Sequence, residues 1–189
     1  MNPARLRVVE LLTIEEALAW TTEQEQCEAM AFPSELRRRE YLSWRAVVRQ
    51  ELGREAQIAY NALGAPILVG RAERLAVSHG AGRVAVLIAE HACGVDIERW
   101  GRDFRRAVGR FLTDEEHALA TDEAFWAVAW CAKETLYKAA AEPGLVIRDQ
   151  LRILSYHPDH LTAQIKDGEV ITLSVLREEA YLLVSVVLD

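Results

Sequence analysis

Two short segments hold the residues whose types and spacing suit them best for chemistry. In Cys93-Gly94-Val95-Asp96-Ile97-Glu98, two carboxylates stand two positions apart after an apolar run. Alternate residues of an extended strand point to the same side, so Asp96 and Glu98 can share one ligand. Gly94, just before them, has no side chain and admits a close backbone neighbour. In Trp130-Cys131-Ala132-Lys133-Glu134-Thr135-Leu136-Tyr137-Lys138, Glu134 and Lys138 are four apart. On a helix they share one face, a turn from each other. Paired acids with a lysine are generic to magnesium-dependent phosphoryl and nucleotidyl transfer. The same residues also read as solvated acids at a strand end and as an ordinary surface ion pair, which adds little stability. That blander reading leaves Trp126, Trp130 and Tyr137 on the same helix unexplained, although such a stripe is commonly a core face.

The elements that must position these segments follow from caps, turns and periodicity. Residues 6–12 read as a strand, and a helical stretch runs from 14 to about 30, with Thr13 as its N-cap ahead of Glu15 and Glu16. Ser34, after Pro33, opens a second helix in which Leu36, Tyr41, Trp44, Val47, Val48 and Leu52 approximate a helical stripe, and Gly53 ends it. Short extended segments follow at 58–60, 66–69 and 75–78, then strands at 84–89 and 93–97. Thr113 is placed to cap a further helix, and a longer one runs from about Glu123 to Ala141, ending at Pro143-Gly144. Strands at 151–155, 161–166, 170–176 and 181–188 close the chain. Helices then strands, twice over, indicate an α+β protein with mainly antiparallel sheets. The division falls between residues 1–98 and 99–189, two lobes sharing an interface rather than two independent domains.

Composition narrows the classes of function. The chain has 189 residues, 51% of them hydrophobic, enough for a substantial core. Its longest apolar runs, 84–89 and 181–188, are strand-length, well short of the roughly 18 residues of a membrane helix. The N-terminus interrupts its apolar residues with charges and lacks a secretory core, so a cytoplasmic protein is expected. Cys27, Cys93 and Cys131 are widely spaced with no CxxC pair and read as reduced thiols. A net charge of -7 argues against a nucleic-acid partner. Arginine is nevertheless concentrated twice. Residues 99–110 carry Arg99, Arg102, Arg105, Arg106 and Arg110 against the single acid Asp103, and a second stretch carries Arg37, Arg38, Arg39, Arg45 and Arg49. These can present a basic face to an anionic partner or a phosphorylated ligand, or be solvated helix faces.

Together, the GVDIE and WCAKETLYK segments resemble the 4'-phosphopantetheinyl transferase superfamily, whose signature is a (V/I)G(V/I)DxE strand followed by a W(S/T/C)xKExxxK helix. Ala76-Val77-Ser78-His79-Gly80 looks like the family's SHS-type segment, and Phe111-Leu112-Thr113-Asp114-Glu115-Glu116 like its F-(S/T)-x-x-E segment. The resemblance spans about residues 30 to 145 and is similar to the single-chain, surfactin-synthetase-activating type, in which two similar α/β lobes pack as a pseudo-dimer. It implies transfer of the phosphopantetheine arm of coenzyme A to a serine of an apo acyl or peptidyl carrier protein, with release of adenosine 3',5'-bisphosphate. It also implies Mg2+, with Mn2+ as a substitute, on Asp96, Glu98 and Glu134, a ligand set suited to a hard cation. By the same resemblance Glu134 is the candidate base, Glu116 assists it or holds a metal-bound water, and Lys138 stabilises the departing bisphosphate. Ser78 and His79 are expected at coenzyme A phosphates, with Arg37, Arg38 and Lys133 as further partners; which arginine faces the ligand stays open. The acidic helix of the carrier would meet residues 99–110, and a chain with both lobes suits a monomer.

Two departures from the family pattern stand out. Gly64-Ala65-Pro66 replaces a G-K-P turn, removing one phosphate contact, and Gly80 replaces the serine after the SH pair. Two other readings compete. A different magnesium-dependent transferase would show a GxxxxGK[ST] loop or a glycine-rich fingerprint, and neither is present. A non-catalytic module binding coenzyme A or a carrier protein would be expected to lose an acidic ligand, and all three are kept.

Overall fold

The computed structural model describes residues 4–121 and 124–188. The expected strand near the N-terminus is β1 (Arg5–Glu10). The helical stretch expected over 14–30 is two helices, α1 (Ile14–Leu18) and α2 (Glu23–Met30). The break is written locally. Thr13 and Thr22 each accept from the N–H three residues on, while Glu16 and Glu25 reach back to the threonine backbone, so a second capping box starts a second helix. From Ser34, α3 (Glu35–Leu52) runs to Gly53, whose φ of 99° lies in the left-handed region that glycine tolerates.

A small hairpin, β2 (Ile58–Tyr60) and β3 (Pro66–Leu68), leads into β4 (Arg74–Gly80) and β5 (Arg83–Ala89). The first sheet has the order β1-β5-β4, with β5 antiparallel to both neighbours. The two faces of β5 are both covered. Val84, Val86 and Ile88 pack on Trp44, Val47 and Val48 of α3. Ala85, Leu87 and Ala89 pack instead on Val95, Ile97 and Leu183, which belong to the second sheet. Burial on both sides is why this strand reads as an unbroken apolar run rather than an alternation.

The acidic strand is β6 (Cys93–Arg99). Beyond it come α4 (Asp114–His117), α5 (Ala124–Ala140), α6 (Ile147–Gln150), β7 (Leu151–Tyr156), β8 (His160–Ile165), β9 (Val170–Arg177) and β10 (Tyr181–Val187). Glu123, the expected start of the long helix, lies outside the described residues. At four residues, α6 is too short to leave a periodic signature and was not expected. The second sheet has the order β6-β10-β9-β8-β7, so β6 draws its ladder from the far end of the chain, with Asp96 opposite Val184 and Glu98 opposite Leu182. Phe125, Val128 and Leu136 of α5 pack on Leu151, Leu161, Leu173 and Leu182 of this sheet. The molecule is α+β, with one long helix on a three-stranded sheet and another on a five-stranded sheet. Among the described residues, no helix is long and apolar enough to cross a membrane.

Candidate active site

The site forms where β6 is pressed between β4 and α5, and two glycines permit the approach. A Cβ on Gly94 would lie 2.0 Å from the Thr135 carbonyl oxygen of α5, and one on Gly80 of β4 would lie 2.4 Å from the Ile97 carbonyl oxygen. Gly80 is therefore a packing requirement of this chain, not merely a serine lost. Side-chain bonds then fasten α5 to the sheet: Thr135 Oγ1 donates to the Val184 carbonyl at 3.0 Å and Cys131 Sγ to the Asp96 carbonyl at 3.2 Å. Burial pushes the Cys131 thiol well above its ordinary range, so it acts as a small core residue rather than a nucleophile.

Asp96 is 6% exposed. Its Oδ1 accepts from Ser78 Oγ and from Lys138 Nζ, each at 2.8 Å. Its Oδ2 is buried with no hydrogen-bond partner. Lys138 Nζ also donates to the Val95 carbonyl at 3.0 Å, which anchors the ammonium over the strand. Glu98 Oε1 accepts from Trp130 Nε1 at 3.1 Å and from Arg102 Nη1 at 2.5 Å. Glu134 is half-buried and near enough to both carboxylates to feel their charge. Desolvation raises its pKa above the ordinary value, the charge of Asp96 adds to the rise, Lys138 opposes it, and Glu98 adds further. Among the described residues, no three His, Cys, Asp or Glu side chains are grouped so as to hold a metal. Asp96 and Glu98 lean instead on cations of the chain itself, Lys138 and Arg102. The donors nonetheless suit a hard divalent ion: all are oxygens, one buried carboxylate oxygen is unpartnered, and Glu134 is repelled by two neighbouring carboxylates.

On the other flank, His79 Nε2 lies 2.7 Å from Arg37 Nη1, and His79 Nδ1 lies 3.4 Å from Glu40. A guanidinium can only donate, so Nε2 accepts and the ring proton sits on Nδ1, facing Glu40. Burial lowers the pKa of His79, Glu40 raises it, and the nearby Arg37 and Lys138 charges lower it again. Arg37, backed by the accepting Nε2 of His79, thus sets one positive charge beside Asp96 and Lys138. Arg38 does not join them. Its Nε donates to the Phe32 carbonyl at 2.8 Å, and it borders a groove on α1 and α2. Nor is the second arginine-rich stretch a basic face. Arg39 clamps the Leu11 and Leu12 carbonyls, while Arg45 and Arg49 are buried on Glu25.

Glu116 and Lys133 pair with each other inside the core. Lys133 Nζ donates to Glu116 Oε2 at 2.8 Å and to the Arg148 carbonyl at 3.1 Å. The Glu116 carboxylate also accepts from the backbone N–H groups of Thr113 and Ile153. The Lys133 and Glu116 side chains are 0% and 3% exposed, so in this arrangement neither presents a charge to a ligand. Neighbours on a helix point about 100° apart, which is why Glu134 can face β6 while Lys133 faces the core.

Sequence reasoning missed three participants. Glu40, Arg102 and Trp130 each hold a predicted site residue by a side-chain contact. Glu40 carries a local hint, standing three residues after Arg37 on the same helix. Lys138 also borders a cleft of about 430 Å³ between the β2–β3 turn, β4 and the end of α5, lined among others by Gly64, Pro66, Ala76 and Tyr137.

Residues 92–182 match the family model of the 4'-phosphopantetheinyl transferase superfamily. The match takes in β6, α5 and most of the second sheet and stops inside β10. Among the curated proteins compared, none matches the chain.

Proposed function

We propose that this protein transfers the 4'-phosphopantetheine arm of coenzyme A to a serine of an acyl or peptidyl carrier protein, releasing adenosine 3',5'-bisphosphate. The observation that carries the reading is the meeting of Asp96, Glu98, Glu134 and Lys138 at the β6–α5 junction, inside the segment matched by the family model. In this reading Asp96, Glu98 and Glu134 hold Mg2+, or Mn2+ in its place, and the ion supplies charge neutralisation at the pyrophosphate. Glu134 takes the proton of the carrier serine, directly or through a water, as a general base placed beside the ion. Lys138 leaves Asp96 to meet the developing charge on the departing bisphosphate. The Arg37 guanidinium, steadied by His79, offers donors to the ribose phosphate, and the cleft beside Lys138, apolar along Leu63, Pro66 and Leu75, accepts the nucleoside end. The Arg37 guanidinium compensates for the lysine missing from the Gly64-Ala65-Pro66 turn.

The same proposal gives Ser78 a supporting part. Its hydroxyl is committed to Asp96 and to the Ile97 N–H, so it orients the aspartate rather than gripping phosphate. Glu116 and Lys133 act as scaffold, which leaves the base to Glu134. The chain divides into lobes at 1–98 and 99–189 in the manner of the single-chain, surfactin-synthetase-activating type and works as a monomer. The acidic helix of the carrier approaches the exposed arginines of residues 99–110, among them Arg102 and Arg106, and steering speeds the encounter more than it sets final affinity. Intact-mass spectrometry of a panel of apo carrier proteins, incubated with the protein, coenzyme A and Mg2+, tests the reading. A gain of one phosphopantetheine arm that disappears with a chelator supports it. Coenzyme A or carrier binding with no gain on any carrier turns it into a non-catalytic binding module.

A further inference from the structure

We propose that Arg102 is the resting counter-ion of Glu98, a positioning residue that a divalent cation displaces on entering the site. The inference rests on the reading above, in which Asp96 and Glu98 share such an ion.

Local sequence brings Arg102 to this place. The Trp100 N–H donates to the Ala180 carbonyl, Gly101 takes a φ of 74°, and the Arg102 N–H returns to the Arg99 carbonyl, so the chain folds back over the end of β6. A left-handed φ at this turn favours glycine. The guanidinium then reaches Glu98 Oε1 at 2.5 Å, the same oxygen that accepts from Trp130 Nε1. Trp130 is a neutral donor, so Arg102 supplies the charge that balances Glu98. Asp96 is balanced separately, by Lys138. The two acids that would share one ion are thus each bound to a different cation of the chain.

Two features make Arg102 the displaceable partner. Its side chain is 50% exposed, against 14% for Glu98, so the bond is made at the solvent edge, where an ion pair is weak. The guanidinium also has a second partner in the same placement: its Cζ lies 4.8 Å from the ring centroid of Phe104. That ring is 4% exposed and is held by edge and tilted contacts with Phe111 and Trp130. On leaving Glu98 the arginine keeps an aromatic partner and does not become free chain, which lowers the cost of the exchange. Arg102 thereby shapes the affinity for the ion without touching it.

Calorimetric titration of Mn2+ into the full-length protein without coenzyme A tests this. The set is wild type, Arg102→Ala, Arg106→Ala and Asp96→Asn. Arg106 lies in the same arginine-rich segment and is exposed, so its removal reports the loss of one positive charge without the Glu98 contact. The expected result is Asp96-dependent binding that tightens about two- to five-fold in Arg102→Ala, the size of a surface ion pair, and stays at the wild-type value in Arg106→Ala. Equal affinity in wild type and Arg102→Ala overturns the role of Arg102 and leaves the proposed function standing. Equal tightening in both alanine variants reduces the effect to general charge and also overturns it. Absence of Asp96-dependent binding in every protein overturns both this inference and the metal reading beneath it.

Discussion

Lys133 and Lys138 lie on the same helix, and each holds a carboxylate oxygen at 2.8 Å, but their surroundings differ in kind. Around Lys133 the polar groups are saturated: Glu116 is met by the ammonium and by two backbone N–H groups, all out of water. Around Lys138 they are not. Asp96 keeps one buried oxygen without a partner, and Glu134 is held in a field that disfavours its charge. A buried ion pair with its lone pairs filled secures one geometry. An ion pair with unfilled valence stores the capacity to bind something else. The difference separates scaffold from site within a single turn and a half of helix, and the following variants test it.

Glu134→Gln should give the largest change, lowering the transfer rate by about 10² to 10⁴-fold, the range of a general base, with the fold intact by circular dichroism. The same variant should melt at a higher temperature than wild type near neutral pH. The raised pKa means the fold favours protonated Glu134, so the native state is penalised as pH rises through that value. The advantage of glutamine should fade below the ordinary value of 4.5, where Glu134 is protonated in both folded and unfolded chains. A stability gap that stays constant with pH would show that the charge of Glu134 is not strained.

Exchanging the lysines sharpens the contrast. Lys133→Met leaves the Glu116 carboxylate buried without its cation and should cost about 3–5 kcal/mol in urea denaturation. Lys138→Met leaves the buried Asp96 with Ser78 alone but removes a lysine that is itself part-exposed, and should cost less, about 1–3 kcal/mol, while transfer falls about 10² to 10³-fold. Comparable destabilisation by both would erase the distinction. Gly94→Ala, which forces a Cβ toward the Thr135 carbonyl, should cost about 1–3 kcal/mol as an overpacking change and reduce transfer beyond what the stability loss explains, because β6 and α5 carry the site between them. The smallest effect is expected on the scaffold side: Thr113→Ala removes the α4 N-cap and should cost about 1 kcal/mol, with the kinetic constants unchanged for the folded fraction.

Much of the fold could be read from local pattern. The strands from 58 to 97 and from 151 onward, the helix opened by Ser34 and the helix carrying Glu134 all lie close to where periodicity and turn residues place them. The break between α1 and α2 was legible too, in the Thr22–Glu25 capping box, but an apparently continuous stretch hid it. The pairings of Asp96 with Glu98 and of Glu134 with Lys138 could be anticipated because strand spacing two and helix spacing four are themselves local geometry; that the two pairs meet was implied by the family resemblance. What escaped were contacts across long separations in the chain. Ser78 to Asp96, Glu40 to His79 and Lys133 to Glu116 each join different elements, and no period in the sequence encodes them.

By itself, then, the sequence determined which chemistry was available: three carboxylates and a lysine carried on one strand and one helix, and arginines in two clusters. Only the tertiary structure decided which charges are spent on the fold and which are left for a ligand. Arg45 and Arg49 go to Glu25, Arg39 to carbonyls, Lys133 to Glu116, while Arg37, Arg102 and Lys138 stay at the site. The physical reason is direction. A helix turns about 100° per residue, so the charge at each position is assigned by what packs against that side, and that is set by the glycine-permitted contact of α5 with β6.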